Sequence, residues 1–303
     1  MPHKYLFFLL AIALIIFCSA CTKDTPQENN IPFDEVITIP VVIHVVNYKP
    51  EPFTISDEKI RSQIEVLNQD FRKKNPDHIK TPDEFIGLVA DIAIEFSLAT
   101  IDPNGNPTTG IIRTESDVTG FDGKSITDET PIEDLKLYFT NKGGQDAWPR
   151  DKYLNIWIAD LSDRYGNLAL AGYAQFPNSD PKIDGVVIDP RVFGTLPPLE
   201  PIHSLGRTAT HEIGHWLNLK HIYGKNGDCE DGDLVDDTPS QESEYNGNPT
   251  HPQNSCNSND MFMNFMDYVD DQSMYMFTLG QKRRMRNLFN PGGLRRELYL
   301  NNR

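Results

Sequence analysis

His211, Glu212 and His215 stand together in the run Thr210-His211-Glu212-Ile213-Gly214-His215-Trp216. Helix positions i and i+4 lie on one face, so His211 and His215 can reach a single metal ion, and imidazole suits zinc. Glu212 projects about 100° round the helix from His211. That puts it beside the metal and not among its ligands, where a general base acting on an activated water must stand. His221 is the third candidate ligand. A helix continued as far as His221 would carry it about 600° round and 9 Å along the axis from His215. The chain must therefore turn first, and Asn218 is the natural place, because Asn after Gly most readily adopts the left-handed conformation that ends helices. A helix with chance surface histidines is the bland alternative, and a third histidine at this spacing speaks against it.

The elements that must position these residues read as a mixed α/β domain. Val41-Val42-Ile43-His44-Val45-Val46 is a β-branched apolar run that predicts a buried strand over 36–47, with His44 as a packed core histidine. Ser56 can cap a helix with Asp57 and Glu58 in its first turn and Ile60, Ile64, Leu67 and Phe71 on one face, ending at Asn75-Pro76. Alternation of Ile92, Ile94, Phe96 and Leu98 predicts a half-buried strand before the turn-rich Asp102 to Pro107. Further strands are expected at 153–159, 168–175 and 185–188, and a helix at 131–140. Thr278 and Gln281 form a capping box for a last helix. Alternating strands and helices, with no repeat and no second apolar domain, place one catalytic domain over residues 36–303.

The N-terminus has a different character. Lys4 precedes the apolar run Leu6 to Phe17, which ends in Ser19-Ala20 before Cys21, the layout of a signal peptide over residues 1–20. The run is shorter than the ~20 residues of a bilayer span. Cys18-Ser19-Ala20-Cys21 resembles a bacterial lipobox, with Cys21 the lipid-bearing residue and Cys18 standing where Leu is usual. Residues 21–35 then read as a polar tether or short pro-segment. The protein is expected to be exported and held on the cell envelope, touching membrane only through that anchor. The chain carries 44 Asp and Glu against 28 Lys and Arg, a net charge of −16. Nucleic acid is excluded as a partner, since phosphate binding needs clustered cations. Cys229 and Cys256 remain for an oxidising compartment.

Downstream lies Asn264-Phe265-Met266-Asp267-Tyr268, with a Met two residues before a Tyr. Together with His211 to His221 it resembles the metzincins, and within them the pappalysin family, over nearly all of residues 36–290. The resemblance implies a metzincin-type zincin: an upper lobe with a twisted mixed sheet and an active-site helix, and an irregular lower lobe with a Met-turn and a C-terminal helix. It implies that Met266 forms a hydrophobic base under the zinc site and that Tyr268 stabilises the oxyanion. Met261, Met263, Met274 and Met276 read as ordinary core. The family has Gly where Asn218 stands, a mild departure. Gly232 to Pro239 looks like the pappalysin calcium loop, with Asp233, Asp237, Thr238 and the Val235 carbonyl as its ligands. The resemblance also implies a Cys229–Cys256 disulfide, for which a chain-entropy estimate is roughly 3–4 kcal/mol. Leu168–Phe176 looks like the edge strand that aligns an extended peptide.

The expected activity is hydrolysis of internal peptide bonds by zinc, with Glu212 moving the proton and protein or peptide as substrate. Asp271, just past the Met-turn, is the candidate for selecting basic residues beside the cleaved bond, while Asp270 reads as solvated turn. His203 and His251 read as surface residues. The rival expectation is a non-catalytic surface-binding lipoprotein on a zincin fold, against which Glu212 counts because a structural zinc site has no use for a base.

Overall fold

The computed structural model describes residues 29–303 apart from 51, 54, 119–120, 122–129, 164 and 231. The expected signal peptide and Cys21 lie outside the described residues. Strand β1 (Ile37–Tyr48) is the axis of the sheet. Its first half pairs in parallel with β2 (Ile94–Leu98) and its second half with β3 (Ile111–Ser116). Its other edge pairs in parallel with β4 (Leu154–Ile158), which pairs with β6 (Val186–Ile188). Strand β5 (Gly172–Ala174) closes the order β2-β1-β4-β6-β5 as an antiparallel edge.

The apolar run of β1 is continuous because both faces are covered. Ile39, Val41, Ile43 and Val45 share the main core with Ile60 and Leu67 of helix α1 (Asp57–Asp70), with Phe71 just past its end, and with Ala209, Ile213 and Trp216 of helix α2 (Arg207–Trp216). Val46 faces the opposite way, into a second cluster with Trp157, Val187, Leu137 and Tyr138. Each buried Leu or Ile contributes roughly 1.5–3 kcal/mol, so this double-sided burial fixes the register of β1. His44 is fully buried, bonded through Nε2 to Asn155 Oδ1 at 2.9 Å and stacked on Trp157.

Helix α1 begins as expected, with Ser56 Oγ accepting from the Lys59 amide. It ends sooner, because Lys73 takes φ 50° and the Lys74 amide closes back on the Gln69 carbonyl. The helix expected at 131–140 is absent. Three separate 3₁₀ turns, Ile132–Asp134, Lys136–Tyr138 and Thr140–Lys142, replace it. Leu135, Leu137 and Tyr138 are all buried, a spacing that one helical face cannot supply. The strand expected over 168–175 shrinks to β5, and β3 arises where no strand was expected.

The lower lobe holds the short hairpin β7 (Asn254–Ser255) and β8 (Ser258–Asn259), and the helices α3 (Leu279–Asn287) and α4 (Arg296–Asn301). Thr278 and Gln281 make the expected capping box on α3. Cys229 and Cys256 are joined in a disulfide with Cα atoms 5.6 Å apart. The described part of the expected tether packs on this lobe. The Ile31 amide donates to Asn290 Oδ1, Arg286 to the Pro32 carbonyl, Lys282 to Asp34 and Tyr299 to Glu35. Residues 31–35 thus belong to the folded body. Among the described residues no helix is long and apolar enough to cross a membrane.

Candidate active site

Helix α2 carries the chemistry, and every one of its residues is buried. It starts after Gly206, which sits at φ 74° and offers no side-chain cap. The missing cap comes from far away in sequence: Asp271 Oδ2 accepts from the Leu205 and Arg207 amides at 2.8 and 3.3 Å. A carboxylate here also complements the positive end of the helix dipole. Arg207 in turn donates to the Asp271 carbonyl and, through both terminal nitrogens, to Asp77. Burial pushes the nearby Asp70 carboxyl up to about 7, against the pull of Arg207 and the hydroxyl of Thr210.

The other end of α2 turns as the sequence requires. Asn218 takes φ 74°, its amide bonds to the His215 carbonyl and the Leu219 amide to the Gly214 carbonyl, the paired bonds of a left-handed helix stop. That stop returns His221 to the helix. The Nε2 atoms of His211, His215 and His221 converge to 3.1, 3.2 and 3.0 Å of one another. Each outer nitrogen has its own partner: Nδ1 of His211 meets the Phe265 carbonyl at 2.7 Å, that of His215 the Leu219 carbonyl at 2.8 Å, and that of His221 the Tyr223 hydroxyl at 3.1 Å. Carbonyls only accept, so the first two rings carry their proton on Nδ1 and turn a bare Nε2 inward. Burial, with the neighbouring imidazoles, holds His211 far below its usual range and His221 down to about 3. Three neutral imidazoles with converging lone pairs fit a soft-to-borderline cation and little else. Glu212 is not among the ligand cluster.

The helix lies directly on the Met-turn. A Cβ on Gly214 would stand 2.5 Å from Met266 Sδ, so glycine lets the two meet without a shift of the Met266 side chain. Glu212 is 8% exposed, and burial pushes its carboxyl up to about 8. It neighbours the sheet edge, since a Cβ on Gly172 of β5 would come 3.2 Å from Glu212 Cγ. The Tyr268 ring lies 5.5 Å from that of His211 and 4.8 Å from that of His221, and the side chain is 48% exposed. A cleft of about 340 Å³ joins these groups, with Thr208, His211, Glu212, Tyr268, His203 and Asp271 on its walls.

The structure therefore gathers His211, Glu212, His215, His221, Met266, Tyr268 and Asp271 in one place. His203, expected at the surface, is at the cleft, with Nδ1 3.8 Å from Asp271 Oδ1. His251 lies apart, bonded to Glu84 and packed on Phe85. The 233–238 loop is separate as well. Thr238 Oγ1 lies 2.8 Å from Asp233 Oδ1 and 2.9 Å from the Val235 carbonyl, and Asp233 Oδ2 is buried without a partner. The two oxygens of Asp237 accept from the Thr278 hydroxyl and the Gly280 amide at the start of α3. Sequence reasoning missed Tyr223, the capping role of Asp271 and the two orienting carbonyls. Only Tyr223, two residues past His221, left a side-chain signal.

The fold and the histidine cluster are those of a metzincin, and the comparisons agree. The family model described as pregnancy-associated plasma protein-A, the M43 peptidases, matches residues 139–290, half of the chain. The chain belongs to this family of metallopeptidases. It is 31% identical to an extracellular metalloprotease of Pyricularia oryzae, over 84% of this chain and 75% of that one. It is 28% identical to an extracellular metalloprotease of Arthroderma benhamiae, over 89% and 83%. Mature mirolysin of Tannerella forsythia, solved in complex with a cleaved peptide, superposes with a TM-score of 0.78 at 44% identity, covering 88% of this chain and 96% of that one. The chain is a metalloendopeptidase, and the metal it requires fits the three imidazoles.

Proposed function

We propose that the protein is an exported zinc endopeptidase that cuts peptide bonds beside basic residues, with His211, His215 and His221 holding the zinc. The observation that carries this reading is the convergence of three histidine Nε2 atoms beside a buried carboxyl that is not a ligand. Zinc supplies Lewis acidity and makes water acidic enough to give up a proton near neutral pH. Glu212 takes that proton and returns it to the leaving amine. Its burial favours the neutral acid, which is the form the second transfer needs. Tyr268 donates to the oxyanion from the cleft wall, and Met266 supports the histidine base from below. Strand β5, an open edge beside Glu212, offers main-chain pairing to an extended substrate.

The specificity rests on Asp271. With Oδ2 spent on the helix cap, Oδ1 has no hydrogen-bond partner, only the His203 ring nitrogen 3.8 Å away, and belongs to a side chain on the cleft wall. A guanidinium or ammonium entering the cleft would satisfy it by a charge-assisted bond. Calcium in the 233–238 loop is supported by the unpartnered Asp233 Oδ2 beside the Val235 carbonyl and Thr238; a rise in Tm on adding calcium, absent in Asp233→Ala, would test it. Export agrees with the names of the extracellular relatives. Attachment through Cys21 rests on the lipobox alone, and Cys21→Ala should free the protein from membranes.

The deciding experiment is a peptide-library digest with the wild type, Glu212→Ala and Asp271→Asn, each assayed for bound zinc. Glu212→Ala should keep zinc and lose at least about 10²–10⁴-fold in turnover. Asp271→Asn keeps an acceptor for the helix cap and loses the charge, so cleavage beside Arg should fall roughly 10–100-fold relative to apolar sites. Equal loss on both peptide classes would make Asp271 purely structural. Near wild-type turnover in Glu212→Ala would sink the mechanism.

A further inference from the structure

The three histidines are not oriented alike. His211 and His215 are held by main-chain carbonyls, which accept and do nothing more. His221 is held by the hydroxyl of Tyr223, which can accept and donate at once. With Nε2 of His221 turned into the cluster, its Nδ1 carries the proton, so Tyr223 Oη accepts and keeps its own hydrogen to give. Its tyrosine neighbour is Tyr268, the ring centroids 5.6 Å apart and the planes at 62°.

We propose that Tyr223 is a positioning residue whose hydroxyl links the third histidine ligand to Tyr268, so that one group aims both the metal site and the oxyanion donor. The donors run in one direction: His221 Nδ1–H to Tyr223 Oη, Tyr223 O–H to Tyr268 Oη, and Tyr268 O–H outward to the substrate. The Tyr268 part rests on the proposed oxyanion role of that residue.

The arrangement is held from several sides. The Tyr223 ring is stacked on His221, centroids 4.9 Å apart and planes at 10°. On either side of Tyr223, the Ile222 amide bonds to the Met266 carbonyl and the Gly224 amide to the Gln241 carbonyl. Gln241 donates to Asp267 Oδ2, and Asp267 Oδ1 accepts from the Tyr268 amide. The segments bearing the two tyrosines are thus tied to each other below the rings.

Tyr223→Phe tests this, because it keeps the stacked ring and removes only the hydroxyl. Zinc affinity by chelator competition is expected to fall about tenfold or more. At saturating zinc, kcat should fall about tenfold with KM unchanged, as for a group acting in the transition state. The double variant Tyr223→Phe/Tyr268→Phe should have the kcat of Tyr268→Phe alone. Unchanged zinc affinity and kcat in Tyr223→Phe would show that the ring alone matters and would overturn the proposal. Independent, multiplying losses in the double variant would overturn the link to Tyr268. A wild-type kcat in Tyr268→Phe would remove the oxyanion role and with it that link, leaving zinc affinity to judge the hold on His221.

Discussion

Met266 Sδ occupies the space in which a side chain on Gly214 would begin, 2.5 Å from an ideal Cβ there. The lower lobe therefore reaches the metal helix through the gap left at Gly214. Gly214→Ala is expected to cost about 1–3 kcal/mol, as overpacking of a buried site does, and to weaken metal binding by tilting the helix or lifting the Met-turn. Urea unfolding and a chelator titration would measure both. Met266→Val in the same chain should recover part of the loss, and no recovery would place the clash elsewhere.

Asn218 holds φ 74° at the stop that returns His221 to the cluster. Asn218→Gly should leave stability and zinc affinity equal or slightly improved, because glycine adopts this conformation without strain. Asn218→Ala should cost about 1–2 kcal/mol and reduce zinc affinity. Equal behaviour of the two variants would mean that the side chain, and not the backbone angle, matters here.

Arg295 lies 3.5 Å over the Trp216 ring, donates to the Trp216 carbonyl and pairs with the fully buried Asp184, which also accepts from the Trp216 indole. The C-terminal segment thereby clamps the far end of the metal helix. Arg295→Met should destabilise the protein by about 3–5 kcal/mol, because it removes the main counter-ion of a buried carboxylate. Adding Asp184→Asn should restore part of that. A double variant as unstable as the sum of the singles would show that the pair is not coupled.

Burial lowers the His44 pKa to about 4, against the help of Asn155. In the unfolded chain its pKa is near 6.5, so between the two values the unfolded state takes up a proton that the folded state refuses. The contribution is complete above pH ~6.5 and is lost as the pH falls towards 4, amounting to about 3 kcal/mol at most. Metal-free His44→Phe should keep the stack on Trp157 and show a flatter fall in stability over that window, measured by urea unfolding at stepped pH. Curves of equal slope would mean that His44 titrates normally in the folded protein.

The readable parts of this protein were those whose causes are local. His211, Glu212 and His215 share a helix face by spacing alone, Asn218 announces a left-handed stop, and Ser56 and Thr278 cap helices a few residues away. The continuous apolar run of β1 likewise declared a strand covered on both sides. Tertiary structure decided what depends on distant chain segments or on main-chain atoms. The carbonyls of Phe265 and Leu219 that aim two histidines have no residue-type signature. Asp271 caps a helix that begins 64 residues earlier in the chain, and nothing near it in sequence marks that role. The segment 131–140 has the composition of a helix, but Leu135, Leu137 and Tyr138 are drawn together into the cluster around Trp157, and burial of three side chains outweighs the regular hydrogen bonds that one short helix would have made.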